Sequence, residues 1–340
     1  MVVRSRPFVN AEAPLPQRVF QRLDDRHFRS GEALAADLAV TRAAVWKAVE
    51  QLRELGVALD AQPHKGYRLA SGVSPLCPER IEAALPAAVR ERIEALLVEW
   101  TLDSTNTKLL DSLPPGAGMA AIVLAENQTG GRGRRGRGWI APPGGGICLS
   151  LAWQFPDMPA DLSALSLVVG LEAANALRSI GMEDVRLKWP NDLVSAQGKL
   201  GGILIEMRAE AGGPVHVVIG IGLNVLLGEE ARAAVALTGN VADDLRANLA
   251  QVPDRNVLVA ALIERLVPAL AEFPRQGFAP HVAQWRERDA LSGQEVRIDN
   301  AGEVTRGVAR GIDAHGALLV ETHEGIRRFI SGEVSVRIDS

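Results

Sequence analysis

The stretch Gly131-Arg132-Gly133-Arg134-Arg135-Gly136-Arg137-Gly138-Trp139 puts four arginines into six residues and spaces them with glycines. Such a segment forms neither a core nor a stable helix, since each interior glycine costs about 1 kcal/mol relative to alanine. Glycines let the backbone fold tightly and turn N–H groups toward an anion, while guanidinium groups add charge and paired donors. The competing reading is a disordered RNA-binding tail. The position of the segment after the apolar run Ala121 to Ala125, inside a folded region, favours an ordered or substrate-ordered anion loop instead. The match to G-x-G-x-x-G is rejected, because no helix follows the glycines; Ile140-Ala141-Pro142-Pro143-Gly144-Gly145-Gly146 does. A P-loop is also absent, as Gly198-Lys199 is followed by Leu200 rather than Ser or Thr.

A second chemical segment is Lys188-Trp189-Pro190-Asn191-Asp192-Leu193, followed by Lys199-Leu200-Gly201-Gly202. Val185 to Trp189 reads as a strand that Pro190 stops, Asn191-Asp192 begins a turn, and Lys199 stands just before another strand. Two lysines and an Asn-Asp pair on facing strand ends suit a triphosphate and its magnesium. Any one of them alone reads equally as a hairpin with a solvated lysine.

Two further pieces stand apart. Asp103-Ser104-Thr105-Asn106 follows a strand over Ala95 to Leu102, and it is either a polar ligand shelf or the N-cap of a helix starting at Thr107. Gly220-Ile221-Gly222-Leu223-Asn224-Val225 is a strand with glycines at alternate positions, so one face carries no side chains. A flat ring could lie there with Asn224 at its edge, or a neighbouring strand could simply pack close.

The elements that position these residues fall into three groups. Val19, Phe20 and Leu23 suit a short helix over Gln17 to Asp25. Ser30 caps a second over Gly31 to Leu38, and Thr41 a third over Arg42 to Leu55, closed by Gly56. Val45, Val49 and Leu52 form the inward stripe of the third helix, so Arg42, Ala43, Trp46 and Lys47 face outward near its start. The pair reads as a helix-turn-helix with the first turns of its second helix in the major groove. Val57 to Ala61 and Tyr67 to Ala70 then make a wing whose Lys65 reaches a phosphate. A mere docking module with Trp46 buried is the competing reading; the position of Trp46 off the apolar stripe, beside two cations, argues for DNA. Ser71 to Pro78 reads as a linker, and alternating helix-like and strand-like segments run on to Trp285 as an α/β domain. The short apolar runs from Leu291 to Ser340, including Val296 to Ile298, Val304 to Val308, Leu318 to Val320 and Arg327 to Ile330, read as a small β-barrel. Turns at Asn300-Ala301-Gly302 and Ala314-His315-Gly316 separate them.

Composition narrows the function classes. The chain has 340 residues, 47% of them apolar and 23% charged, with a formal net charge of −4, which excludes disorder and leaves room for several cores. Residues 1–75 hold 11 basic against 8 acidic side chains and the remainder 26 against 33, so a basic module precedes an acidic one. Two cysteines and six scattered histidines offer neither a disulfide framework nor a zinc site. No apolar run is long enough to span a membrane, and no apolar stretch follows the arginines of the first ten residues as a secretory signal would. A cytoplasmic, multidomain protein is expected.

The four chemical segments in this order, with Thr41-Arg42-Ala43-Ala44, the wing Lys65-Gly66-Tyr67 and Phe329-Ile330-Ser331-Gly332-Glu333-Val334, resemble the biotin protein ligases that double as biotin operon repressors. The resemblance spans nearly the whole chain. It implies an α+β multidomain protein: a winged helix-turn-helix over 1–73, a central mixed α/β ligase domain like that of class II aminoacyl-tRNA synthetases over 79–288, and an SH3-like β-barrel over 290–340. It further implies that biotin and ATP react to biotinyl-5′-adenylate, and that the biotinyl group passes to a lysine of a carboxylase carrier domain.

In the family's pattern, Lys199 bridges the biotin carboxylate and the α-phosphate, and Arg134 is the second catalytic cation. Arg132, Gly133 and Arg134 cover biotin and adenylate, with Arg135 and Arg137 adding phosphate contacts. Ser104, Thr105, Asn106 and Gln128 match the polar groups around the ureido head, with Gly202 and Gly222 alongside. Trp139, Lys188, Asn191 and Asn224 fall to the nucleotide, and Asp192 to Mg²⁺. Adenylate-bound protein is expected to dimerise on a palindromic operator. Trp46 stands where the family commonly has a smaller polar residue, and the first sixteen residues match nothing in it. Three readings follow: a ligase and repressor, a ligase whose helix-turn-helix is structural, and a DNA-binding sensor that binds biotin without catalysis. Lys199 and the intact arginine loop argue against the third, and that loop also separates the chain from lipoate ligases.

Overall fold

The computed structural model describes residues 13–209, 212–236, 241–300, 303–330 and 334–338. The first twelve residues, the turn residues Ala301 and Gly302 and the Ser331-Gly332-Glu333 motif therefore lie outside the described residues.

Three helices open the chain: α1 (Leu15–Phe20), α2 (Gly31–Leu38) and α3 (Arg42–Glu54). Both caps read from the sequence are made: Ser30 Oγ accepts from Ala33 N at 3.1 Å, and Thr41 Oγ1 from Ala44 N at 3.2 Å. Each such cap contributes about 1 kcal/mol. Between them Ala39 takes φ 54°, the left-handed turn that swings α3 across α2. Val45, Ala48, Val49 and Leu52 bury the inner stripe of α3. The wing is the antiparallel hairpin of β1 (Leu59–Gln62) and β2 (Gly66–Leu69).

Ser71 to Pro78 is no loose linker. Val73 and Leu76 are buried, Leu76 N donates to Glu126 Oε1 at 2.7 Å, and Cys77 N donates to Asn256 Oδ1 at 2.8 Å. The winged-helix core also runs on into the next domain, where the Phe20 ring meets Trp100 at a centroid distance of 5.5 Å.

After α4 (Pro78–Ala84) and α5 (Ala87–Arg90) come β3 (Ile93–Leu102), α6 (Thr105–Leu110), β4 (Ala120–Gln128) and β5 (Gly146–Phe155). Next are α7 (Leu165–Ser179), β6 (Arg186–Lys188), β7 (Asp192–Val194), β8 (Lys199–Ala209) and β9 (Val215–Asn224). Helices α8 (Glu229–Ala236), α9 (Leu245–Asn248), α10 (Arg255–Gln276) and α11 (Val282–Glu287) complete the domain. The seven strands form one sheet in the order β3-β4-β5-β9-β8-β7-β6. Only the β3–β4 pairing is parallel, so the alternation of helix and strand in the sequence does not produce a parallel α/β sheet. The reason lies in the connections: β6 to β9 follow one another through short turns, which join only antiparallel neighbours.

Strand alternation separates core from chemistry. On β5, Ile147, Leu149, Leu151, Trp153 and Phe155 join the core with α7 and α10. On β9, Val217, Ile219, Ile221 and Leu223 do the same. Since successive side chains point to opposite faces, Cys148 and Ser150, and Gly220, Gly222 and Asn224, all look the other way. The paired residues of β8, Gly202 and Leu204, share that second face.

The last domain is a five-stranded antiparallel sheet, β13-β12-β11-β10-β14, built from β10 (Glu295–Asn300), β11 (Glu303–Ile312), β12 (Leu318–Thr322), β13 (Gly325–Phe329) and β14 (Val334–Ile338). Trp189, fully buried, fastens it by donating Nε1 to Gly316 O at 3.0 Å. No helix among the described residues is long and apolar enough to cross a membrane.

Candidate functional site

The polar face of the large sheet is roofed by the arginine-glycine loop, and the two enclose a cavity of about 380 Å³. Its floor is a linked polar set. Ser104 does occupy the N-cap position of α6, although its side chain makes no capping bond. The helix starts at Thr105, two residues earlier than the sequence pattern put it. Thr105 N and Oγ1 both donate to Gln128 Oε1, at 2.8 and 3.1 Å. Ser150 Oγ lies 2.6 Å from both Thr105 Oγ1 and Asn106 Oδ1. Asn106 Nδ2 donates to Glu206 Oε2 at 2.8 Å. A floor so prepared discriminates, because a ligand that fails to match a buried polar group costs roughly 1–3 kcal/mol.

The loop is held by its own backbone bonds and by its arginines reaching neighbouring elements. Gly133 N donates to Arg137 O at 2.7 Å and Trp139 N to Gly131 O at 2.9 Å, closing its neck. Arg132 Nη2 donates to Thr107 Oγ1 at 2.8 Å and stands 3.7 Å from Glu206 Oε1. Arg134 Nη1 donates to Asn191 Oδ1 at 3.2 Å. Burial lowers the pKa of Arg134, with Asp192 opposing the shift and Arg137 and Arg135 adding to it. A guanidinium stays charged regardless. Arg135, at φ 57°, sits 4.0 Å from Asp299 of the C-terminal sheet. Arg137 and Gly133 line the cavity with the other loop residues.

Lys199 enters from β8 and its Nζ donates to Asp192 Oδ1 at 2.6 Å. Asp192, expected to hold magnesium, is thus also the ion partner of the lysine, and it opens β7 rather than a turn. The backbone of Lys199 is locked on both sides: its N donates to Val241 O at 2.8 Å, and its O accepts from Asp243 N at 2.9 Å. Asn224 Nδ2 donates to the same Lys199 O at 3.1 Å and to Asp243 O at 3.0 Å. The amide of Asn224 therefore holds the lysine strand, a use its nucleotide assignment did not foresee. Lys188 and Gly202 line the cavity too, and a Cβ on Gly202 would stand 3.0 Å from Lys199 Nζ.

The bare glycine face is occupied from within the chain. A Cβ on Gly222 would fall 2.3 Å from Trp139 Cε2, and one on Gly220 would fall 2.4 Å from Asn106 Oδ1. The flat ring expected over Gly222 is the indole of Trp139, so Gly222 reaches a ligand only past that side chain. Beneath it, burial pushes the Cys148 thiol up to about 12, which leaves it neutral and unsuited to nucleophilic chemistry.

The structure adds residues the sequence reading missed. Ser150 and Glu206 join the floor through bonds to residues 44 and 100 positions away. The only local hint was that both fall on the polar phase of otherwise apolar strands. Val336 and Ile338 of β14 line the cavity as well, so the C-terminal sheet closes one side of it.

The proposed nucleic-acid residues lie apart from this cavity. Thr41, Arg42, Ala43 and Lys47 are exposed on α3, and Trp46 is 56% exposed. Thr41 also caps the helix. Lys65, at the wing tip, stands 5.9 Å from the centre of the Phe28 ring.

A cation-lined cavity on a mostly antiparallel sheet, preceded by a winged helix, is the arrangement of a ligase domain joined to a helix-turn-helix domain. Residues 98–224 match the Biotin/lipoate A/B protein ligase family, residues 291–337 the Biotin protein ligase C terminal domain, and residues 17–68 an HTH domain. The chain belongs to the family of the bifunctional biotin ligase/repressors. It is 36% identical to the Bifunctional ligase/repressor BirA of Salmonella typhimurium, over 96% of this chain and 98% of that one. It is likewise 36% identical to that of Escherichia coli, over 95% and 97%. The biotin protein ligase of Aquifex aeolicus in complex with biotin and ATP superposes with a TM-score of 0.61 at 28% identity, covering 72% of this chain and all of that one.

Proposed function

We propose that this chain activates biotin with ATP to biotinyl-5′-adenylate and transfers the biotinyl group to a lysine of a carboxylase carrier domain. One observation carries the reading. Cations from two distant stretches meet on neighbouring residues, Arg134 on Asn191 and Lys199 on Asp192. A carboxylate approaching an α-phosphate brings two anions together, and preorganised cations remove that repulsion without reorganising during the reaction. The linked floor of Thr105, Asn106 and Gln128, with Ser104 beside it, suits the ureido head of biotin. The arginine loop with Trp139 suits the adenylate, whose mixed anhydride must be kept from water.

Magnesium belongs to the same reading. Asp192 is the one carboxylate lining the cavity among the described residues, and no cluster of three or more candidate ligands occurs among them. That donor set fits an ion held by one carboxylate and the substrate phosphates, not an all-protein cage. When bound, the ion would neutralise phosphate charge, with Asp192 as its protein contact.

The exposed start of α3 and the Lys65 wing support a second activity on the same chain, repression of biotin genes by binding their operator. Dimerisation on adenylate binding would fit that role, since a palindromic site presents two equivalent half-sites. ATP, carrier proteins and operator DNA place the working protein in the cytoplasm. The test is incubation with ATP, magnesium, biotin and a carrier domain, followed by detection of labelled carrier. Absence of label from folded protein overturns the ligase reading. A gel shift on DNA upstream of biotin synthesis genes tests the repressor.

A further inference from the structure

Glu126 and Arg255 form an ion pair with side chains 4% and 0% exposed, at 2.7 Å between Oε2 and Nη2. Neither lines the cavity. The pair is nonetheless bonded to the segment by which the loop returns to the sheet. Gly144 N donates to Glu126 Oε2 at 3.2 Å, and Arg255 Nη1 donates to Gly146 O at 2.8 Å. Gly146 is the register partner of Asn224, whose amide holds Lys199 O. One buried pair thus supports the end of the arginine loop and, through Asn224, the lysine strand.

The same two side chains grip the segment behind the winged helix. Leu76 N donates to Glu126 Oε1 at 2.7 Å, and Arg255 Nε donates to Ser74 O at 2.8 Å. The winged-helix domain also bears directly on the loop's end. A Cβ on Gly144 would fall 2.5 Å from Val73 Cγ1 and 3.3 Å from Phe20 Cζ, and a Cβ on Gly56 would fall 3.0 Å from Pro142 Cβ.

We propose that Glu126 and Arg255 are positioning residues for the ligase reaction, setting where the arginine loop closes and tying that closure to the seating of the winged-helix domain. A buried ion pair is a weak source of net stability against an apolar replacement, so its presence asks for a geometric reason. Here the reason is that a carboxylate and a guanidinium can satisfy four backbone groups from two chain segments at once, residues 74–76 and 144–146, which apolar side chains cannot. The inference rests on the ligase reading given above and goes beyond it by assigning roles to two residues outside the cavity.

The test uses the full-length chain with Arg255→Lys, Arg255→Gln and Phe20→Leu, the last chosen to keep the winged helix folded. Pyrophosphate release gives KM and kcat for biotin and ATP, and AMP release without any carrier reads leakage of adenylate past the loop. The expected result is a KM for biotin raised about tenfold in the Arg255 variants, with carrier-free AMP release raised similarly and kcat within about threefold. Arg255→Lys should retain more than Arg255→Gln, and Phe20→Leu should move both readouts the same way by about threefold. Unchanged KM and leakage, whatever the loss in thermal stability, would overturn the proposal, because a merely structural pair changes the amount of folded enzyme and not its KM. If the Arg255 variants do not fold, Phe20→Leu decides alone. Failure of the unmodified chain to release pyrophosphate would instead sink the ligase reading.

Discussion

The ammonium of Lys199 and the carboxylate of Asp192 lie 2.6 Å apart on adjacent strands, one residue along from the contact between Asn191 and Arg134. The lysine is thus held inside the cavity, where the proposed reaction needs it, before any substrate arrives. An arriving anion can take over from Asp192 and find the cation already aimed.

Replacing the lysine should therefore remove chemistry and leave the fold. Lys199→Ala is expected to slow adenylate formation by on the order of 10²–10³. Asp192→Asn, which frees the ammonium to swing, should slow it roughly tenfold. Single-turnover pyrophosphate release checks both, with circular dichroism confirming an intact fold.

Gly222 is close-packed under the Trp139 ring, so Gly222→Ala must push the indole outward. The catalytic efficiency should drop on the order of 10- to 100-fold, as small displacements in a preorganised site do. Gly228, with open space around its would-be Cβ, supplies the control, and Gly228→Ala should leave the rate unchanged. Equal effects from both substitutions would remove the case for close packing.

On the DNA side, Lys65→Ala should weaken operator binding evenly across sequences and reduce the salt slope by about 1. Trp46→Ala should alter preference among operator sequences, since the exposed indole sits in the first turns of α3, the part proposed to enter the groove. Fluorescence anisotropy at several salt concentrations separates the two, and carrier biotinylation by both variants should match the unmodified chain.

Acid stability should show Asp289. Burial raises its carboxyl to about 6, and Oδ2 has no partner while Oδ1 accepts from Leu291 N at 2.8 Å. Its folded pKa lies above the unfolded value, so the folded state binds the extra proton between roughly pH 4 and 6. This group's contribution is most favourable below that window and is lost as pH rises through it. Asp289→Asn should then be more stable than the unmodified chain at pH 7, by roughly 1–3 kcal/mol. The gap should close by pH 4, which melting temperatures across the range would reveal.

What could be read from the sequence was local or chemically extreme. The Ser30 and Thr41 caps and the α3 stripe each depend on residues within one helix, and the structure has them. The arginine loop and Lys199 were visible because no core explains them. Less legible was everything joined across the sheet. Nothing near Ser150 announces Asn106, and nothing near Glu126 announces Arg255, 129 residues on. The segment from Ser71 looked like a linker because its prolines and glycine are local signals, whereas the bonds that pin it come from β4 and α10. Trp139 lying on Gly222 combines both cases: the bare strand face was evident, and the ring that fills it came from a loop whose path the sequence did not reveal.

The last sheet is less an appendage than a shutter. Val336 and Ile338 border the cavity, Asp299 stands by Arg135, and Trp189 reaches across to Gly316. A chain stopped after α11 would keep every arginine of the loop and Lys199. Yet its activated vitamin would spill into solvent, so the damage would surface as futile nucleotide consumption before it surfaced as silence.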